Sequence, residues 1–150
     1  MIRDEIKSAQ TTAMKAGDKA RLAAVRLILA KIKDRDIELR TASQVPEDDV
    51  LVTDVLQKMV KQRRESIAMY EQGGRAELAA KEQAELDVIE SFLPTQMSEE
   101  ETRVAIEAIK AELEASSVKD MGKVMAVLKE RHGTQLDMSK ASGLVKAALS

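Results

Sequence analysis

Apolar residues recur along this chain at intervals of three and four, and the interruptions fall at Gly, Pro and Ser, so the pattern predicts helices and no strand. Ile2, Ile6, Ala9 and Ala13 share one face of a first helix that Gly17 can close. Asp18 is placed to cap a second helix, with the stripe Leu22, Val25, Leu29 and Ile32, running to about Arg40. A turn over residues 41–46 leads into a third helix that Pro46 can start. Glu47, Asp48 and Asp49 then suit the positive end of its dipole. This helix reaches about Gln72 and repeats Val52, Leu56, Met59, Ile67 and Tyr70 on one side. Gly73 and Gly74 break it. A fourth helix, from about Arg75 to Leu93, carries Leu78, Leu86, Ile89 and Leu93, and Pro94 ends it.

Ser98 to Glu101 has the form of a capping box opening a fifth helix, with Ala105, Ile109 and Leu113 facing the core, joined by Thr102. Ser117 to Asp120 reads as the start of a sixth helix ending near Arg131, with Val118, Met121, Met125 and Leu128 as its stripe. A seventh begins near Asp137 and turns Ala141, Leu144, Val145 and Ala148 to one side. The expected fold is all-α, a four-helix segment over residues 1–95 followed by a small three-helix domain over 96–150. The Thr95–Met97 linker between them is expected to be exposed and open to proteases.

Composition agrees, since Ala, Glu, Lys, Leu and Arg make up half of the 150 residues. It also excludes several chemistries. Cys is absent and His132 is the sole imidazole, so disulfides, thiol nucleophiles, Cys-ligated zinc and His-based metal sites are ruled out. One Tyr and one Phe cannot form a base-stacking platform. No apolar run reaches the roughly 18 residues of a membrane span, and the start of the chain lacks a signal peptide's apolar core, which gives the expectation of a soluble, cytoplasmic protein. No phosphate loop and no nucleophile with a nearby base can be assembled. Hence no catalytic residue, metal or small-molecule cofactor is expected, and catalysis by this chain alone is not expected.

Charge singles out two places. On a helical projection Arg63 falls within the apolar arc of the third helix, where a charge must be paired or reach out to water. An ion pair with Glu82 or Glu85 of the fourth helix is one reading; a phosphate-binding patch over residues 61–64 is the other. The second place is the C-terminal end, where residues 116–150 hold six basic and three acidic side chains. Lys119, Lys123, Lys140 and Lys146 project away from the predicted stripes, with Arg131 nearby and Gly143 between the last two lysines. Such a surface could touch a nucleic-acid backbone by charge and shape, or be an ordinary solvated face. Gly122 reads as a close helix–helix contact, and His132 as a helix-end charge beside Gly133.

The strings Lys61 to Ser66, Tyr70 to Arg75, Phe92 to Gln96, Ser116 to Met125 and Leu144 to Leu149 together resemble the GatB/YqeY family in its free-standing YqeY form. The resemblance spans nearly the whole chain. It implies an all-α, two-part fold and kinship with the tail of the B subunit of glutamine-dependent aminoacyl-tRNA amidotransferase. That tail resembles a tRNA-holding arm, and the family carries the label of carbon–nitrogen ligation with glutamine as amide donor. Nothing here corresponds to the separate domain that performs ATP-dependent chemistry. Many relatives have a Gly-Arg-Ala-Asp/Asn-Gly turn before the last helix, whereas this chain has Gly133-Thr-Gln-Leu-Asp-Met138 and no Arg in it. The resemblance therefore implies a non-catalytic module interacting with tRNA or the aminoacyl-tRNA machinery. The alternative is a protein–protein adaptor without direct RNA contact.

Overall fold

Residues 1–150, described by a computed structural model, form seven α-helices and no strand. The first four are α1 (Ile2–Ala16), α2 (Lys19–Glu38), α3 (Asp48–Gln72) and α4 (Ala76–Glu90). They are followed by α5 (Glu99–Leu113), α6 (Met121–His132) and α7 (Met138–Leu149), with short 3-10 turns at Leu39–Thr41 and Val118–Asp120. The chain divides into two compact units, Met1–Leu93 and Pro94–Ser150. Each has its own apolar core.

In the N-terminal unit α1 packs on α2 and α3, α2 on α3 and α4, and α3 on α4. Local signals set the ends of the helices. Gly17 closes α1, and the Asp18 side chain accepts from the Arg21 amide at 3.1 Å to cap α2. Gly74 adopts φ +70, a conformation open to glycine at little cost, and turns the chain from α3 into α4. The core is built on Ile6, Val25, Ile28, Ile32, Val52, Leu56 and Ile89. Ile28 was absent from the expected stripe, and Leu22 and Leu29 are only half-buried. The reason is that α2 touches three other helices, which turns its buried arc toward Ile28. At 25 residues α3 is about 37 Å long, against about 22 Å for the 15-residue helices α1 and α4. Its first half therefore buries a broad arc, adding Leu51, Val55 and Val60, while Ile67 and Tyr70 farther along are half-buried.

Polar groups tie this unit together from a distance. The Ile2 amide, at the start of α1, donates to Asp49 Oδ1 at 3.1 Å, so α3 caps α1. Arg3 forks onto Asp36 of α2 through Nη1 and Nη2 at 2.8 and 3.0 Å, and onto Asp48 of α3 through Nη2 at 2.8 Å and Nε at 3.1 Å. The Arg3 hydrogen bonds hold the Asp36 carboxyl below its ordinary range. Arg21 lies over the Phe92 ring, 5.8 Å from its centre, and links α2 to the end of α4. The Thr53 hydroxyl is buried without a hydrogen-bond partner.

The C-terminal unit packs α5, α6 and α7 against one another around Ile106, Ile109, Val124, Leu128, Ala141 and Val145. The capping box at Ser98 is complete: its side chain accepts from the Glu101 amide at 3.1 Å, and its amide donates to the Glu101 carboxylate at 3.2 Å. Two expected core positions lie outside. Leu113 is the last residue of α5 and is 39% exposed, because Glu114 at once turns the chain into a left-handed conformation, φ 52. Val118 is 46% exposed because it stands in the 3-10 turn, where a three-residue repeat replaces the 3.6 period. Val124 takes its place in the core. Gly122 is likewise exposed, with open space where a Cβ would lie, so it serves no close helix contact.

Thr95 and Gln96 are exposed, as expected, but the Thr95–Met97 stretch is tied down rather than loose. The Met97 amide donates to the Gln135 carbonyl at 2.9 Å, Gln96 Nε2 donates to the Thr134 carbonyl at 3.0 Å, and Met97 packs against the C-terminal core. Residues 42–45, by contrast, are all exposed and outside any helix. Limited proteolysis with a broad-specificity protease should therefore cut first within residues 42–45, as read by fragment mass. First cleavage at residues 95–97 would contradict this assignment.

Candidate nucleic-acid interface

Lys119 stands in the 3-10 turn and Lys123 in the first turn of α6. Lys140 and Lys146 sit near the two ends of α7, on either side of the exposed Gly143, beyond which there is open space. All four lysines are exposed, and none is engaged in an ion pair. The packing explains their direction: α7 buries Ala141, Val145 and Leu149, and α6 buries Val124 and Leu128, which turns the lysines to water.

None of the acidic side chains of residues 116–150 forms an ion pair with them. Asp120 accepts from the Ser116 amide at 3.1 Å, and Asp137 accepts from the Ser139 amide at 2.9 Å and caps α7. Lys129, exposed and unpaired on α6, adds to the same charge and was not singled out in the sequence, although the excess of basic residues over 116–150 includes it.

Arg131 is committed elsewhere. It makes a two-pronged pair with Glu112 of α5, at 3.1 and 2.7 Å. That bond holds the Glu112 carboxyl below its ordinary range and raises the Arg131 guanidinium above its own. Arg131 thus joins α5 to α6 and is withdrawn from the set of free cations. Lys110 is also structural, donating from Nζ to the Ala148 carbonyl in the last turn of α7 at 2.9 Å. Its partner is 38 residues away, so no local pattern marks it.

The turn at Gly133–Met138 serves the fold. Leu136 is buried in the core, and the carbonyls of Thr134 and Gln135 hold residues 96 and 97. The His132 ring meets Gln135 Oε1 at 3.4 Å from Nδ1.

In the N-terminal unit Arg63 reaches Glu82 at 2.8 Å and Glu85 at 2.9 Å, all three side chains being largely buried. Arg64 reaches Glu90 at 2.8 Å. With both arginines held by α4 carboxylates, residues 61–64 form no phosphate patch. A shallow groove of about 370 Å³ lies beside this pair, lined by Ile67, Glu71, Gln83 and Leu86 among others. No group of three or more His, Cys, Asp or Glu side chains could hold a metal ion, and no helix is long and apolar enough to cross a membrane.

Comparison with known proteins adds the lineage. Altered inheritance of mitochondria protein 41, mitochondrial, of Eremothecium gossypii is 37% identical over 91 residues, covering 59% of this chain and 48% of that protein. The proteins of the same name from Saccharomyces cerevisiae and Vanderwaltozyma polyspora are 35% and 32% identical over 81 residues, covering 54% of this chain and 42% of theirs. The chain spans about half the length of these relatives or less. The model of the Yqey-like protein family matches residues 3–149. With that match over nearly its whole length, and the all-α fold described above, the chain belongs to the Yqey-like protein family.

Proposed function

We propose that this chain is a non-catalytic tRNA-interacting module whose C-terminal unit grips the RNA backbone through Lys119, Lys123, Lys140 and Lys146. The observation that carries this reading is that all four are exposed and unpaired while most of the surrounding charge is spent on structure. Of the two aromatic residues Phe92 is buried, so stacking on bases contributes little. Recognition then rests on phosphates and RNA shape. The resemblance to an amidotransferase tail supports tRNA as the RNA in question.

Charge reversal at two positions tests it. Lys140→Glu with Lys146→Glu should weaken tRNA binding on the order of tenfold at moderate salt. Two lost phosphate contacts should also make the log–log salt slope shallower by about 1.5–2. Both residues lie off the core, so the melting temperature should hardly move. If affinity and slope are unchanged in a folded variant, these lysines form an ordinary solvated face, and the adaptor reading moves ahead.

A further inference from the structure

The N-terminal unit is nearly neutral as a whole, yet its two halves are not. Residues 1–42, which contain α1 and α2, hold ten basic and six acidic side chains; residues 43–95 hold six and eleven. In the acidic half Arg63 and Arg64 are both held by carboxylates of α4. In the basic half much of the charge is unspent.

The concentration is on the outer face of α2. This helix buries Ala24, Val25, Ile28 and Ile32. The opposite arc carries Lys19, Arg26 and Lys33, seven residues apart and all exposed. A seven-residue step drifts only about 20° on a straight helix, so the three form one row. Successive cations stand about 10.5 Å apart along the axis, about 21 Å from first to last. Ala23 and Ala30 run beside them, so short side chains leave the charged ends standing clear.

None of the three is in an ion pair. Three or four residues either side of Arg26 lie Leu22, Ala23, Leu29 and Ala30, with no acid among them. The carboxylate so placed for Lys33 is Asp36, whose two oxygens are taken by Arg3. Asp18, next to Lys19, caps α2. Asp34 follows Lys33 but points about 100° round the helix. The positive row is thus spent on nothing in the fold.

We infer that the Lys19–Arg26–Lys33 row is a second phosphate-binding surface, which takes the sugar–phosphate backbone of structured RNA. The inference rests on the tRNA reading for the identity of the polyanion, but it uses none of the C-terminal lysines. Charge complementarity selects the occupant: an extended polyanion satisfies three cations spread along a straight rod. A folded protein partner would need an apolar anchor at the centre, whereas between these cations the exposed neighbours are Ala23 and Ala30, and Leu22 and Leu29 are half-buried against the fold.

The test uses the full chain and an unmodified tRNA transcript, with binding followed by fluorescence anisotropy across a salt series. Three variants are compared with wild type: Lys19→Glu/Arg26→Glu/Lys33→Glu, the same three positions changed to Gln, and Lys140→Glu/Lys146→Glu. The triple Glu variant should bind at least tenfold more weakly, and both triple variants should have salt slopes shallower by about 2–3. The Gln variant keeps the test valid if charge reversal disturbs folding. Weakening by the α2 variants with no effect of the C-terminal pair supports this surface and overturns the C-terminal placing. Weakening by the C-terminal pair with unchanged slope and affinity in the α2 variants overturns this inference alone. Absence of tRNA binding by wild type overturns both. Displacement of tRNA by polyglutamate at equal charge concentration would also overturn it, assigning the row to acidic protein segments instead.

Discussion

Arg63→Glu should cost the N-terminal unit about 3–5 kcal/mol, the largest single loss expected outside the apolar core. The wild-type guanidinium lies 2.8 and 2.9 Å from Glu82 and Glu85, and the side chains are only 19%, 18% and 27% exposed. Reversal sets three carboxylates together in a place where water screens them poorly. Arg63→Met should cost less, about 2–3 kcal/mol, because it leaves two partly buried acids unpaired without adding a third. Removing the acids as well, with Glu82→Gln and Glu85→Gln, should restore much of the loss, since an uncompensated charge is what destabilises. Urea unfolding followed by far-UV circular dichroism reads these differences. A loss under 1 kcal/mol for Arg63→Glu would show that the cluster relaxes into solvent and holds nothing.

Arg3→Met should cost about 2 kcal/mol and alter the response to acid. Arg3 donates to two aspartates on two other helices, and its geometry suits the planar guanidinium fork. Hydrogen bonds to charged groups contribute about 1.5–3 kcal/mol each when buried; Asp36 and Asp48 are 38% and 30% exposed, so the sum is discounted. Arg3→Lys should recover less than half of the loss, because an ammonium cannot fork. The acid response follows from Asp36, whose carboxyl is held low in the folded state. The unfolded chain then takes up the proton more readily, so this contribution is complete above the ordinary carboxylate value of 3.8 and is lost as the pH falls through the folded value. Arg3→Met should flatten the stability–pH curve in that acid window. An unchanged curve would mean that the Arg3–Asp36 bond does not persist in solution.

Much of the fold was legible because its signals are local. Gly17, Asp18, Gly74 and the Ser98–Glu101 box act within one turn of themselves, and each sits at a helix end. Which face a helix buries is not local. The arc of α2 turns toward Ile28, and that of α5 toward Ile106, because neighbouring helices decide it. A 3.6-residue period puts Val118 on the core face, but Val118 stands in a 3-10 turn whose shorter repeat turns it outward. Charged residues divide in the same way. A charge on an apolar arc, as at Arg63, demands a partner, and acids spaced three apart on the next helix could supply it. Arg3 conflicts with no apolar stripe, and its partners lie 33 and 45 residues away, so nothing nearby betrays its role. Arg131 is exposed, and its partner Glu112 belongs to the preceding α-helix, so the sequence leaves it looking free. The α2 row is masked in the net charge, because residues 1–95 combine a basic half with an acidic one.

The most direct test of the central claim is a salt titration of tRNA binding by the unaltered chain. Contacts from unpaired lysines to phosphates release counterions. Four such contacts predict a log–log slope of about −3 to −4, and additional contacts from α2 make it steeper. Binding at low salt with a slope of −3 or steeper is the expected result. No binding at about 50 mM salt, or binding with a slope near zero, would contradict the account.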